Sequence, residues 1–413
     1  MHSIFYTRFD LMAKYLYIKY NEIQSPFYKE LYHQHFITFN NCWEHPGDKK
    51  TKIEDFINAF NELIRDMKNN GFNKEYPVPI GRNGIIINGA HRLVTSFYFN
   101  KETYLKLLEE YGCPGYNYKF FLERTVHPPL SRLYTDTMAL EFVKLDKNMR
   151  CMVIYPTAFN YDKINLLEQI IIKYSYLYYS KSVNLNFNGV SNLIKELYRE
   201  EEWIGGLFPM GFSPGGKAER CVSNNLTQIY LFHMYDLSMV VELKEKCREL
   251  FQFGKHSLHI SDYPKDTFRI SSSLLNENSI HFLNNGTNDI HPNTKELLGN
   301  YFDMITENEL ERDDYCLTSS LILEMYGLRK ARDIDYLHKT NKILPLKDTG
   351  IHKDEWLDYY HICKDELIYN PNNHFYFNGF KCATIEVIKK MKENRNETKD
   401  IKDIELIKEV NYY

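Results

Sequence analysis

Four groups of residues in this chain have types and spacings that could do chemistry. Asp333 and Asp335 are separated by one residue. On a strand, a period of two aims both carboxylates at one face, which suits a hard cation such as Mg2+ and a nucleotide triphosphate. His259 lies in a short, partly apolar stretch just before Pro264, where an imidazole can serve as nucleophile or general base. The run Gly89-Ala90-His91-Arg92 joins a glycine corner to a helix start that bears an arginine. Gly89 lets a backbone approach, the helix end supplies N–H groups, and Arg92 offers a two-pronged fork to phosphate. Finally, Gly215-Gly216-Lys217 ends a long glycine-rich loop whose lysine could reach over phosphates as a lid; its spacing is not that of a P-loop. Each group also has a plainer reading: strand carboxylates in water, a satisfied core histidine, a tight corner, a surface insertion.

The elements that must position these residues follow from local pattern. Residues 257–261 read as a buried strand bounded by Gly254 and Pro264, and a helix opens at 263–266 and runs over 267–276. His259 therefore sits on a strand before a helix N-terminus, and the positive end of that helix suits a phosphate. Around Gly89, two apolar runs, 76–80 and 85–89, flank a Gly-Asn-Gly type turn and predict a β-hairpin. A helix from 102 leads into a Pro/Gly-rich loop ending in His127-Pro128-Pro129. Upstream, Ile53, Phe56, Ile57, Phe60, Leu63, Ile64 and Met67 share one helix face, which Asn69-Asn70-Gly71 ends. From residue 150 the order is strand, helix, strand, helix, then the His259 strand and its helix. This predicts an antiparallel sheet with helices on one face. Residues 284–300 read as a linker and a helix covers 294–308. Beyond it, a strand at 315–320, a helix at 321–327 and a strand at 333–337 carry Ser319, Ser320 and the two aspartates.

Composition narrows the function classes. The 413 residues suffice for two or three domains, and 43% apolar content supports a sizeable core. A net charge of −4 without a basic block argues against extended nucleic-acid binding. The eight cysteines form no C-x-x-C pair, which argues against a zinc site or a disulfide scaffold. Neither a signal peptide nor an apolar run of membrane length is read from the sequence, so a cytoplasmic protein without membrane association is expected.

Three resemblances follow from these motifs. Pro77-Val78-Pro79-Ile80 with Asn88-Gly89-Ala90-His91-Arg92 resembles the phosphate-contacting box of the ParB/sulfiredoxin superfamily, over about residues 70–150. That superfamily includes CTP-dependent DNA-partition clamps, ATP-dependent reductases and small-molecule kinases. Ala90 stands where sulfiredoxin has its reactive cysteine, and the missing basic block argues against a clamp. Residues 150–285 resemble nucleoside diphosphate kinases through Val153-Ile154-Tyr155-Pro156-Thr157, Leu197-Tyr198 and Leu258-His259-Ile260-Ser261-Asp262. The resemblance implies that His259 is a phosphohistidine nucleophile, with Ser261 and Asp262 shaping its loop. In this chain Tyr155 replaces the family's turn lysine, Ile260 its glycine, and Ile270 the glutamate that orients the histidine. Residues 300–410 resemble polymerase-beta-type nucleotidyltransferases, with Ser319-Ser320 in place of a Gly-Ser helix start before the Asp333/Asp335 strand. The tail, with Arg395, Lys399-Asp400 and Asp403-Ile404, fits the helix pair that ends many small members. A third carboxylate is expected on a later strand, with Asp365 and Glu366 the nearest candidates.

The expected fold is α+β: a ParB/sulfiredoxin-like domain at 1–149, a ferredoxin-like, nucleoside diphosphate kinase-like domain at 150–285, and a nucleotidyltransferase-like domain at 286–413. The expected function is a nucleotide-dependent transferase that moves a phosphoryl or nucleotidyl group to a small hydroxylated acceptor, such as a sugar or polyol of a surface polysaccharide. Its cofactors would be Mg2+, held by Asp333 and Asp335, and ATP or another nucleoside triphosphate. Gly89, His91, Arg92, Tyr198, Lys217, Ser261, Asp262, Ser319 and Ser320 would bind nucleotide, and His259, Asp333 and Asp335 would act chemically. Two alternatives stand beside it: chemistry at the Asp pair alone, or a non-catalytic nucleotide sensor or scaffold. A homo-oligomer is compatible with either.

Overall fold

A computed structural model describes residues 2–42, 50, 52–113, 115–204, 216–287 and 290–410. The fold is α+β, and the chain forms two compact units, Met1–Asp146 and Lys147–Tyr413.

The first unit is mainly helical. Its helices are α1 (His2–Thr7), α2 (Leu11–Lys19), α3 (Pro26–Asn40), α4 (Ile53–Asn70), α5 (Ala90–Tyr98), α6 (Tyr118–Leu122) and α7 (Arg132–Leu145). Helix α4 buries Phe56, Phe60, Ile64 and Met67, the centre of the apolar face read from the sequence. The Asp55 carboxylate accepts the Lys52 N–H at its start (3.0 Å), and Gly71 ends it at φ 78°. The predicted hairpin at 76–89 is not a ladder. Strand β1 (Val78–Ile80) pairs in parallel with β2 (Leu105–Leu107), and only the bridge Ile80–Ile86 remains of the antiparallel pairing. Strand β2 lies where a helix was expected, because its backbone completes the edge of β1. Beneath Ile86 a charged core is closed: Asp10, fully buried, accepts from Arg8 (2.7 and 2.9 Å) and Lys14 (2.8 Å), and Arg8 also donates to the Ile86 carbonyl (3.2 Å).

The second unit holds two sheets. Strands β3 (Met149–Ile154), β4 (Tyr176–Val183), β5 (Thr227–His233) and β6 (Leu258–Ile260) form an antiparallel sheet in the order β4-β5-β3-β6. Helices α8 (Tyr161–Tyr174) and α11 (Leu237–Phe251) cover one face, packing Leu167, Ile171, Leu243 and Cys247 on Met152, Ile154 and Phe232. The expected single helical layer is incomplete as a description. The other face carries α12 (Pro264–Leu274), against which α9 (Phe187–Leu197) and α13 (Glu277–Asn285) pack, and β3 is buried at every position. The short α10 (Lys217–Cys221) precedes β5; residues 205–215, the body of the glycine-rich loop, lie outside the described residues.

After α14 (Pro292–Glu307) come β7 (Tyr315–Thr318), α15 (Ser320–Met325), β8 (Ile334–His338), β9 (Thr349–Ile351), α16 (Lys364–Tyr369), β10 (His374–Phe377), β11 (Phe380–Ala383), α17 (Ile385–Arg395) and α18 (Thr398–Val410). The expected linker is helical from Pro292 onward. The strands form a mixed sheet in the order β10-β11-β7-β8-β9. β8 runs antiparallel to β7 and parallel to β9. The two sheets belong to one unit because α13 bonds them together: Asn278 donates to the carbonyls of Pro371 (3.0 Å) and His374 (3.2 Å), and Phe282 stacks on Phe375 at 4.5 Å. Among the described residues, no helix is long and apolar enough to cross a membrane.

Candidate functional site

In the first unit, Gly89 caps α5 at φ 83°, a left-handed conformation that suits glycine. Arg92 folds back over it: a Cβ added at Gly89 would lie 2.9 Å from the guanidinium. His91, expected at the phosphate, is instead turned into the core. Its Nε2 meets the Tyr32 hydroxyl at 2.9 Å, and its ring packs against Phe36 and, at 4.5 Å, Phe60. Burial, then the Lys14 and Lys50 charges, hold its pKa well below the usual histidine range. An apolar-lined neutral imidazole anchors the helix, so Gly89 and Arg92 are what this corner offers an anion.

In the second unit, His259 is half-buried on β6, on the face opposite the Leu258 and Ile260 core. Tyr198 follows α9 and meets its ring edge-on at 5.1 Å. Tyr198 and Tyr155 share a hydroxyl contact of 3.1 Å, and the Lys217 ammonium lies 5.1 Å from both of their rings. Lys217 also donates to the Lys255 carbonyl at 2.6 Å. His259, Tyr198 and Lys217 are thus brought together. Burial first, then the charges of Lys244, Lys217, Arg269 and Arg248, push the His259 pKa down to about 3, so the ring is neutral at neutral pH. No group among the described residues hydrogen-bonds either ring nitrogen, so none of them stands in for the missing orienting glutamate. Ser261 and Asp262 serve other ends. Buried Ser261 accepts the Cys151 N–H (2.9 Å) and contacts Thr267 (2.7 Å), pinning β6 to β3, and Asp262 pairs with Lys244 at 2.6 Å.

The remaining residues meet in one cavity of about 640 Å3. Its wall includes Ser319, Ser320, Asp333, Asp335, Arg332 and Lys402. Neither His259 nor Tyr198 lines it. Asp335 sits on β8 and Asp333 one residue ahead of the strand. Burial and the neighbouring Asp333 charge raise the Asp335 pKa, while Ser319 and Arg395 partly offset them. Ser319 joins β7 to α15 at φ 61°, ψ −140°, a conformation that strains any residue but glycine. Such strain is a recurrent mark of functional positions. The sequence flagged this place as one where a glycine was expected, and the backbone takes a glycine-like course there.

A charged cage fixes the cavity's far wall. Lys392 lies between Asp400 (3.1 Å) and Asp403 (2.7 Å), Arg395 forks onto Asp400 (2.9 and 2.7 Å), and Arg329 forks onto Asp403 (2.5 and 2.8 Å). Buried Glu324 accepts from the N–H groups of His291 (2.8 Å) and Ala331 (2.5 Å) and so holds the basic run before Asp333. Lys330, Arg332 and Lys402 are exposed at the cavity and have no carboxylate partner among the described residues. Sequence reasoning did not single out these three cations, although Arg329-Lys330-Ala331-Arg332 directly precedes the Asp pair. The expected third carboxylate is not found at its candidates. Asp365 and Glu366 lie on α16, a helix, where Glu366 accepts from Asn370 at 2.8 Å. On β9, Gly350 is the residue paired with Asp335.

Among the described residues, no group of three or more His, Cys, Asp or Glu side chains is placed to hold a metal ion. The Asp333/Asp335 pair nonetheless fits Mg2+, which is commonly bound by one or two carboxylates and completed by waters and substrate phosphates. Across protein-family models, curated proteins and solved structures, nothing matches the chain.

Proposed function

We propose that the chain is a divalent-metal-dependent nucleotidyltransferase whose chemistry lies at Asp333 and Asp335. One observation carries this reading: two carboxylates, a strained serine between strand and helix, and three cations without a carboxylate partner among the described residues converge on one cavity. A divalent cation held by the Asp pair would neutralise charge developing on the polyphosphate. Lys330, Arg332 and Lys402 bind the remaining phosphate charge and steer the nucleotide in. A hydroxyl of the acceptor forms a bond to the α-phosphorus, the bond to pyrophosphate breaks, and the hydroxyl proton leaves to water. The acceptor is a small hydroxylated molecule, and a sugar or polyol fits this chemistry.

Topology supports finer fold readings for each segment. The strand–helix–antiparallel strand order of β7, α15 and β8, closed by the α17–α18 pair, agrees with a nucleotidyltransferase-like domain. In the other sheet, β5 lies between β3 and β4, and β3 lies between β5 and β6. These two interlocked split units agree with a ferredoxin-like, nucleoside diphosphate kinase-like layer. The Gly89–Arg92 corner supports the ParB/sulfiredoxin-like reading only through its glycine and arginine.

A second reading, phosphoryl transfer through His259, is favoured by the gathering of Tyr198 and Lys217 around a neutral imidazole. Incubation with ATP labelled at the α- or the γ-phosphate, over a panel of sugars, polyols and sugar phosphates, separates the two. Mg2+-dependent transfer of α-label, lost in Asp335→Ala and kept in His259→Ala, is the expected result. Acid-labile γ-label on the protein, lost in His259→Ala, would replace the first reading with the second. Nucleotide binding without turnover of any acceptor would favour a sensor.

A further inference from the structure

Helix α4 carries a polar stripe beside its apolar face. Asn58, Asn61, Glu62 and Arg65 stand at i, i+3, i+4 and i+7, so they share one side of the helix. Across a cavity of about 410 Å3 they meet Asn21 and Gln24, in the turn between α2 and α3. The two walls are tied together. The Tyr17 hydroxyl donates to Asn61 Oδ1 at 2.9 Å, the Tyr17 ring stacks on Phe60 at 5.4 Å, and the Lys68 ammonium pairs with Glu22 at 2.9 Å. Within the turn, the Gln24 amide donates to Asn21 Oδ1 (3.3 Å), while its own oxygen accepts from Lys29 (2.5 Å).

These bonds decide what the cavity wall can offer. The side-chain oxygens of Asn21 and Asn61 are engaged as acceptors, so their NH2 groups are left to donate. Glu62 and Arg65 stand three residues apart, at ion-pair spacing, yet they form no pair with each other or with any other described residue. Asn58 likewise has no hydrogen-bond partner among the described residues. The wall therefore presents donors from Asn21, Asn61 and Arg65, an acceptor from Glu62, and both from Asn58. Its one positive and one negative charge cancel.

We propose that this cavity binds a small neutral polyol or monosaccharide through its hydroxyls. A hydroxyl donates and accepts at once, which is what interleaved donors and acceptors require. A phosphate would meet the Glu62 carboxylate and a metal cation the Arg65 guanidinium, so the balanced charge selects against both. The volume falls within the range of small-molecule sites. Among the described residues no aromatic side chain lines the cavity, so affinity rests on hydrogen bonds and should be roughly millimolar. The proposal does not depend on the nucleotidyl reading, because this cavity lies wholly in the first unit and the Asp pair in the second.

The test is saturation-transfer NMR on the full chain with glucose, N-acetylglucosamine, ribitol and inorganic phosphate as probes, with melting temperature measured alongside. The expected result is transfer to at least one of the three hydroxylated probes and none to phosphate. Glu62→Ala and Arg65→Ala should each weaken that binding about tenfold. Both side chains are exposed, so neither variant should lower the melting temperature appreciably. Asp335→Ala should bind the same probe like the wild type. No transfer to any hydroxylated probe, equal affinity in the wild type and both α4 variants, or transfer to phosphate alone overturns the proposal. Binding that survives Glu62→Ala and Arg65→Ala but is lost in Asp335→Ala would put the sugar at the Asp pair, so this proposal would fall while the nucleotidyl reading stood.

Discussion

Replacing Lys392 with methionine tests whether the ionic cage holds the far wall of the cavity. The Lys392 side chain is 4% exposed and lies between the Asp400 and Asp403 side chains, themselves 0% and 4% exposed. Breaking a buried ion pair from one side costs about 3–5 kcal/mol. Each aspartate keeps an arginine fork, so the lower end, about 3 kcal/mol, is expected. Methionine roughly fills the lysine stem, so a cavity adds little. Because the chain has two units, a single global transition is a poor reporter, and amide hydrogen exchange over 385–410 reads the local effect. A loss of about 3 kcal/mol corresponds to roughly a hundredfold faster exchange in α17 and α18. The pH dependence supplies a second reading. Burial works to raise the Asp400 pKa, but Arg395 and Lys392 outweigh it and push it down to about 2. A carboxylate whose folded pKa is depressed stabilises the fold above its unfolded value, and that contribution is lost as pH falls toward 2. It is on the order of 2 kcal/mol. In Lys392→Met the folded pKa rises toward its unfolded value, so the acid-dependent loss should be smaller and complete at a higher pH. Wild-type protection of α17 and α18, with an unchanged acid limb, would refute the cage as a structural device.

Other expectations follow from the same geometry. Asp10→Asn leaves Arg8 and Lys14 buried without their shared carboxylate and should destabilise the first unit by about 3–5 kcal/mol, read as lost exchange protection in α2. Ser319→Gly relieves the positive-φ backbone and should be more stable than Ser319→Ala by about 1 kcal/mol; equal stability of the two variants would contradict the strain. Burial and Asp333 raise the Asp335 pKa, so metal affinity should fall with decreasing pH before an ordinary carboxylate titrates. Asp333→Asn should move that fall to lower pH, as Mn2+ titrations over a pH series would show.

Much of this arrangement is legible in sequence because it is local. The Asp333/Asp335 spacing fixes a shared face as soon as β8 forms, and the pair α17 and α18 stands where the resemblance of the tail implies two helices. The α+β class follows from the same patterns. What failed depends on partners distant in sequence. The turn at 81–84 signals a hairpin, but β1 takes its ladder from β2, some twenty-five residues later. His91 follows a phosphate-like glycine, yet helical period turns it toward Phe36 and Phe60. Ser261 looks like a loop residue of a histidine site, but its hydroxyl is taken by the Cys151 N–H of the neighbouring strand. Lys330, Arg332 and Lys402 look like other surface cations in sequence; what sets them apart is their place at the cavity of the Asp pair, which no local pattern encodes.

A crystal of the full chain grown with Mn2+ and α,β-methylene-ATP tests the central claim most directly. The expected result is an anomalous manganese peak against the carboxylates of Asp333 and Asp335, with phosphates reaching toward Arg332 and Lys402. Nucleotide bound instead beside His259 and Lys217, or at Gly89 and Arg92, with the Asp pair free of manganese, would contradict it.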